Sequence, residues 1–187
     1  FIGIGLNYID HAQEQNLPVP KEPIIFFKSP SSLTGPNDRI VIPKNSKKTD
    51  WEVELGFVVS KKTQHIQESQ SLDHILGFFV VADFTEREWQ KERSGQWTKG
   101  KSADTFGPIG PYIVTTDELL DYQNLDMFLD VNGKRMQTGN TKKMIFNIKF
   151  LLSYLSKFMT LLPGDIITTG TPPGVGENKI PPIFLKG

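Results

Sequence analysis

The segment Trp51 to Ser60 constrains this chain more than any other. Val53, Leu55, Phe57 and Val59 occupy one parity and are all apolar, while Glu52, Glu54, Gly56 and Val58 occupy the other. Strict alternation with period two specifies a β-strand with one face turned to a core. It also places Glu52 and Glu54 on a common face, with carboxylates roughly 6 to 7 Å apart along the strand. Unpaired, two such groups repel and resist joint ionisation. A divalent cation with a preference for oxygen resolves that repulsion. Spacing alone leaves a second reading open, the solvent face of a half-exposed strand.

The rest of the chain reads as short strands joined by turns. Phe1 to Gly5, Ile24 to Lys28, Arg39 to Ile42, Gly77 to Ala82, Gly107 to Val114 and Ile166 to Thr169 carry the residue types of strands, and Val131-Asn132-Gly133-Lys134 is a hairpin turn. Asn7 is placed to cap a helix over Tyr8 to Gln15, and Thr85 to cap one over Glu86 to Arg93 with Glu88 completing a capping box. Ser71 to Leu76 is read as a short helix. The long amphipathic helix is expected over Met144 to Phe158, from the spacing of Ile145, Ile148, Leu151, Leu152 and Leu155. The 16 glycines and 13 prolines are spread along the chain, as many turns require. A length of 187 residues suits one domain, here mainly β with a few helices, without the alternation of a doubly wound sheet.

Composition narrows the function. Basic and acidic residues balance at 21 each, which gives no basis for a nucleic-acid partner or a membrane surface. The absence of cysteine excludes disulfides, thiolate metal sites and a thiol nucleophile, and a cytoplasmic location is expected. No run of about 18 apolar residues is present, so no transmembrane helix is expected. Because the chain opens at Phe1, its natural start is expected to lie upstream.

Other residues join the glutamates as candidates. Asp83 ends an apolar run, where a charge needs a reason; capping the Thr85 helix is the competing role. Arg87 and Gln90 lie one turn apart and could meet a substrate carboxylate or solvent. His11 and Glu14 meet at i and i+3, either as a general base with its orienting carboxylate or as a surface ion pair. Lys101, amid glycine and small residues, can steady an oxyanion or be a solvated loop lysine. His65 and His74 read as surface residues. The glycine loop Thr169 to Gly176 lacks the Gly-Lys-Ser/Thr of a phosphate loop, and Gly3-x-Gly5 lacks the third glycine of a dinucleotide fingerprint.

Taken in order, these segments resemble the catalytic domain of the fumarylacetoacetate hydrolase superfamily. The matching runs are Gly5-Leu6-Asn7-Tyr8 through His11 and Glu14, Phe27-Lys28-Ser29-Pro30-Ser31, Asp50-Trp51-Glu52-Val53-Glu54-Leu55, and Asp83-Phe84-Thr85-Glu86-Arg87 with Gln90. They continue through Lys101-Ser102-Ala103-Asp104-Thr105-Phe106, Thr141 to Phe146, and Pro163 to Gly176. Ala82 stands where many members have asparagine, and family members continue beyond Lys186-Gly187, so closing strands are expected to be missing after the short linker Glu177 to Pro181.

The resemblance implies a mixed β-sandwich roll, often a homodimer, over a single catalytic domain. It implies Glu52, Glu54 and Asp83 as ligands of Mg²⁺ or Mn²⁺, with Ca²⁺ as a structural substitute. It further implies His11 and Glu14 as a catalytic dyad on a mobile lid, Lys101 as the oxyanion group, and Arg87, Gln90 and Thr171 as substrate contacts. The expected partner is a small anionic 2-oxo acid. The expected reaction is hydrolysis of a C–C bond in a 2,4-dioxo acid of the acylpyruvate or fumarylpyruvate type, through a metal-stabilised enolate. The same enolate serves isomerisation of 2-hydroxyhepta-2,4-diene-1,7-dioate or decarboxylation of an oxaloacetate-like acid in aromatic catabolism. A metal-dependent nuclease is the alternative from another class, disfavoured by the neutral charge.

Overall fold

A computed structural model describes residues 1–187. The strands are β1 (Ile2–Gly5), β2 (Ile24–Phe27), β3 (Leu33–Thr34), β4 (Thr49–Asp50), β5 (Val53–Val59), β6 (Ile75–Ala82), β7 (Thr85–Glu86), β8 (Gly107–Thr115), β9 (Asp126–Val131), β10 (Lys134–Asn140) and β11 (Ile166–Thr168). The helices are α1 (Ile9–Glu14), α2 (Arg87–Lys91), α3 (Trp97–Lys101) and α4 (Ile148–Phe158). Seven strands form one mixed sheet in the order β2-β1-β11-β5-β6-β8-β3, with β9–β10 and β4–β7 as separate antiparallel ladders. The chain is therefore mainly β with a few helices, as its short apolar runs require.

The alternation in Trp51 to Ser60 is the axis of this arrangement. Strand β5 pairs antiparallel with β11 on one side and β6 on the other. Leu55, Phe57 and Val59 join Ile148, Leu151, Leu152 and Leu155 of α4 in the main core. Val58 enters a smaller cluster with Phe79 and Val81 on the opposite face. Both faces of β5 are thus buried, which removes the half-exposed reading of the glutamate face. Glu52 lies one residue before the strand, where Gln137 of the neighbouring hairpin accepts a 2.8 Å hydrogen bond from Val53 N in place of a strand partner. Asn132 and Gly133 take the positive φ that the hairpin turn needs.

Several expected elements are corrected. Asn7 does not cap α1, whose N-cap is Tyr8 without a side-chain bond. Instead the Asn7 amide donates to Phe146 O (3.0 Å) and Thr169 O (2.8 Å), and its Oδ1 accepts from Phe146 N (2.8 Å). Ile145 N also donates to Asn7 O. These bonds occupy the backbone groups that a helix over Met144 to Asn147 would use, so α4 starts at Ile148, capped by the Asn147 side chain. Thr85 lies in β7, and the N-cap of α2 is Glu86, whose side chain accepts from Glu88 N, so Glu88 closes no capping box. The helix expected over Ser71 to Leu76 is a 3₁₀ segment over Glu68–His74, and Leu76 belongs to β6. Arg39 to Ile42 forms no strand; Val41 N is held only by the Thr105 hydroxyl at 2.8 Å. His65 is exposed as expected, while His74 is half-buried against the Thr63 hydroxyl.

Because Asn7 joins three segments through buried bonds, Asn7→Ala leaves several backbone groups unpaired. We expect it to lower unfolding free energy by about 2–4 kcal/mol, read in urea as a lower midpoint with unchanged slope.

Candidate functional site

Two apolar strands end in charges that meet below the sheet. Lys28 follows β2 and Asp83 follows β6, and their side chains pair at 2.6 Å with no exposure of either. Lys28 also donates to Lys101 O, which ties the end of α3 to the same point. Lys101 Nζ lies 2.7 Å from Glu52 Oε2 and 2.6 Å from Asp83 Oδ2. Arg87, from α2, bonds Glu52 Oε1 at 2.7 Å and Asp50 Oδ2 at 2.8 Å. Asp50 in turn accepts from Gly176 N and Glu177 N, so the end of β4 and the end of the glycine loop share one carboxylate.

Glu54 differs from its neighbours. It is 1% exposed, has no cationic partner, and accepts a 2.8 Å hydrogen bond from Gly170 N. Gly170 must be glycine: its φ is +90°, and a Cβ would lie 2.8 Å from Asn7 Cβ. One oxygen each from Glu52, Glu54 and Asp83 falls within 4.8 Å of the others.

The charges set the protonation states. Burial and the charges of Asp83 and Glu52 push Glu54 well above the usual carboxylate range, against the pull of Lys101 and the Gly170 N–H. Burial also resists ionisation of Glu52, but Lys101 and Arg87 more than offset it and hold Glu52 at about 2. Burial lowers Lys28, which has one carboxylate partner and Lys101 nearby; Lys101, with two carboxylates, is raised despite its burial. The cluster contains four buried carboxylates (Asp50, Glu52, Glu54, Asp83) against three buried cations (Lys28, Arg87, Lys101). The unpaired member is Glu54, and its oxygen converges with those of Glu52 and Asp83. That donor set fits a hard divalent cation such as Mg²⁺ or Mn²⁺.

The cluster opens into a cavity of about 400 Å³ that His11 also lines. His11 Nδ1 is 2.9 Å from Glu14 Oε2, and its Nε2 is 2.8 Å from the Gln15 amide nitrogen. An amide nitrogen can only donate, so Nε2 is the acceptor and the ring proton sits on Nδ1 toward Glu14. Glu14 is held in turn by Gly174 N (3.0 Å) and Asn178 Nδ2 (3.0 Å). These two hydrogen bonds and His11 keep its pKa low against the opposing effect of burial.

A family model, fumarylacetoacetate (FAA) hydrolase C-terminal, matches residues 1–186. The chain belongs to the fumarylacetoacetate hydrolase family. A curated relative from Burkholderia cenocepacia (strain HI2424), whose name goes no further than hydrolase, is 60% identical over 187 residues. The match covers 100% of this chain and 66% of that protein, so the chain spans about two thirds of the length of the curated relatives it matches. Among solved structures, fumarylacetoacetate hydrolase from Exiguobacterium antarcticum superposes with a TM-score of 0.91 at 37% identity, over 99% of this chain and 66% of its own. The 2-hydroxyhepta-2,4-diene-1,7-dioate isomerase from Mycobacterium marinum superposes with a TM-score of 0.84 at 37% identity, over 94% of this chain and 64% of its own. The family therefore contains proteins named for hydrolysis and for isomerisation on this fold.

Within this family fold, Glu52, Glu54, Asp83, His11, Lys101, Arg87, Gln90 and Thr171 all gather at one site. All are buried. Asp83 does not cap a helix, as its competing role required, but pairs with two lysines. Arg87 and Gln90 reach the cavity, with Arg87 already committed to Asp50 and Glu52. Thr171 reaches it with its hydroxyl proton given to Val53 O at 2.9 Å. The expectations did not assign Lys28, Asp50, Gln137 or Trp97 to the site. For Lys28 a signal existed: it closes an apolar strand with a charge, as Asp83 does.

In metal-free protein, ionising Glu54 costs stability because its folded pKa lies above the unfolded value. The cost is absent below about pH 4, the ordinary carboxylate range, and grows as pH rises toward the folded pKa. In EDTA, Glu54→Gln should therefore melt above the wild type at pH 7 and converge with it near pH 4. Adding Mn²⁺ should raise the wild-type melting temperature more than that of the variant.

Proposed function

We propose that the chain carries a divalent-metal-dependent hydrolase that cleaves a C–C bond in a small 2,4-dioxo acid of the acylpyruvate or fumarylpyruvate type. The observation that carries this reading is the shared cavity: His11, oriented by Glu14, lines the same space as Glu52, Glu54 and Lys101. A Mg²⁺ or Mn²⁺ ion on Glu52, Glu54 and Asp83 would supply Lewis acidity and a template for the 2-oxo acid end.

The chain's own groups supply the rest. Glu14 fixes the His11 proton on Nδ1, which leaves the Nε2 lone pair as the base. In this structure that lone pair accepts from Gln15, and a water taking the amide's place is positioned as nucleophile. Nε2 takes a proton from the water as the water oxygen bonds to the 4-keto carbon. The C3–C4 bond then breaks, its electron pair stays on C3, and His11 returns the proton there. The products are pyruvate and the carboxylic acid of the acyl group. Lys101 spends two of its three N–H donors on Glu52 and Asp83, which leaves one for the oxygen where charge develops. Arg87 holds Glu52 in place and, with Lys101, favours an anionic substrate.

The isomerase names among solved relatives support a second reading, isomerisation of a related 2-oxo acid, and decarboxylation would draw on the same groups. Both reactions use the carboxylates and Lys101 but need no attacking water, so cleavage of an acylpyruvate separates the readings.

The test follows loss of the enol absorbance of acetylpyruvate with complete protein and Mg²⁺ or Mn²⁺. We expect turnover that EDTA or Glu52→Ala abolishes, and a kcat lowered about 10²–10⁴-fold by His11→Ala. Stable acetylpyruvate beside consumption of oxaloacetate or the hydroxydiene dioate would move the assignment to the second reading.

A further inference from the structure

The cavity is chemically divided. Its inner wall carries Glu52, Glu54, Arg87 and Lys101, while Phe26, Trp97, Ile24 and Leu17 form an apolar wall. Contacts give the order. Lys101 Nζ lies 5.0 Å from the Phe26 ring centroid, and Phe26 lies 5.8 Å from Trp97, centroid to centroid. Ile24 and Leu17 are exposed at 36% and 46%, which puts them at the mouth. The hydrocarbon surface therefore begins where the charge cluster ends and runs outward. Strand β1 is thinned to seat it: a Cβ on Gly5 would lie 2.2 Å from Cζ3 of Trp97.

Every cation of the cavity has a carboxylate partner, and the spare donor on Lys101 lies at the inner end. Arg87 is on Asp50 and Glu52, Lys101 is on Glu52 and Asp83, and the exposed Lys91 has its Nζ 2.6 Å from Glu177 Oε2. A carboxylate set between Phe26 and Trp97 would lose water and meet hydrocarbon, with Lys91, already on Glu177, as the cation left toward the mouth. A methylene buried there strengthens binding by about fourfold.

We infer that, of the acylpyruvate and fumarylpyruvate types, the substrate is the monocarboxylic one, with an apolar acyl tail lying along Phe26 and Trp97, and that dicarboxylic 2-oxo acids such as fumarylpyruvate are discriminated against. This deepens the 2-oxo acid reading above and rests on it. The volume of about 400 Å³ leaves room for a tail of several carbons.

The test uses complete Mn²⁺-loaded protein and two six-carbon ligands that differ by a terminal carboxylate, 2-oxohexanoate and 2-oxoadipate. Their Kd values come from isothermal titration calorimetry, beside turnover of acetyl-, hexanoyl- and fumarylpyruvate. We expect 2-oxohexanoate to bind at least about tenfold more tightly, consistent with buried methylenes against an unpaired carboxylate. Trp97→Ala should shrink the ratio to about threefold or less. Leu17→Lys, a change at an exposed position that leaves the core untouched, should shift it toward the diacid. Equal or tighter binding of 2-oxoadipate to the wild type, or a ratio unmoved by both variants, overturns the inference. Discrimination without cleavage of any acylpyruvate would discard the hydrolase reading and keep the tail preference. Failure of both acids to bind would discard both.

Discussion

The burial of Glu54 beside Glu52 and Asp83 is the constraint on which the rest depends. Three carboxylates in a water-poor pocket repel one another, and each interior charge must be paired or must neutralise. Lys28, Lys101 and Arg87 pair with Glu52, Asp83 and Asp50, and none pairs with Glu54. The sheet cannot relax by turning Glu54 outward, because a shift of one residue in β5 would move Leu55, Phe57 and Val59 out of the core against α4. Packing of the apolar parity therefore keeps the carboxylates in their electrostatically costly position. This is the physical sense in which the fold prepares a cation site.

Much of this was legible in sequence because it is local. The alternation in Trp51 to Ser60 specified both the strand and the common face of the two glutamates, and i, i+3 spacing specified the His11–Glu14 contact. The Asn132-Gly133 turn was specified by the backbone angles those residues tolerate. What stayed hidden depends on partners far along the chain. Asn7 carries the side chain of a helix cap, yet its amide bonds Phe146 and Thr169, more than 130 residues away in sequence. That one side chain explains both the uncapped α1 and the late start of α4. Thr85 likewise has a capping side chain but lies in a two-residue ladder with β4. Arg39 to Ile42 has the composition of a strand and no neighbour to pair with. Lys28 could have been found by the rule that pointed to Asp83, since both are charges that end apolar runs.

The site has two parts of different build. Asp50, Glu52 and Asp83 are held by ion pairs with Lys28, Lys101 and Arg87, and Glu54 stands among them unpaired. The dyad stands on a six-residue helix, and the base nitrogen is covered by a neighbouring glutamine. The carboxylates are thus on strands or at their buried ends, and the His11–Glu14 pair is on a short peripheral element. Relatives on this fold are named for hydrolysis or for isomerisation.

The glycine loop after β11 acts as a ruler. Gly170 N donates to Glu54 and Gly174 N donates to Glu14, so the separation of these two carboxylates is set by four peptide units of main chain. The side chains between them do not make these two bonds. For these two bonds the length of the segment matters more than the residues between its ends. A single inserted residue would displace one anchor by up to about 3.5 Å, more than a hydrogen bond can absorb. The number of residues from Gly170 to Gly174, and the two glycines themselves, are therefore what the geometry fixes, and insertions fit only in turns outside the loop.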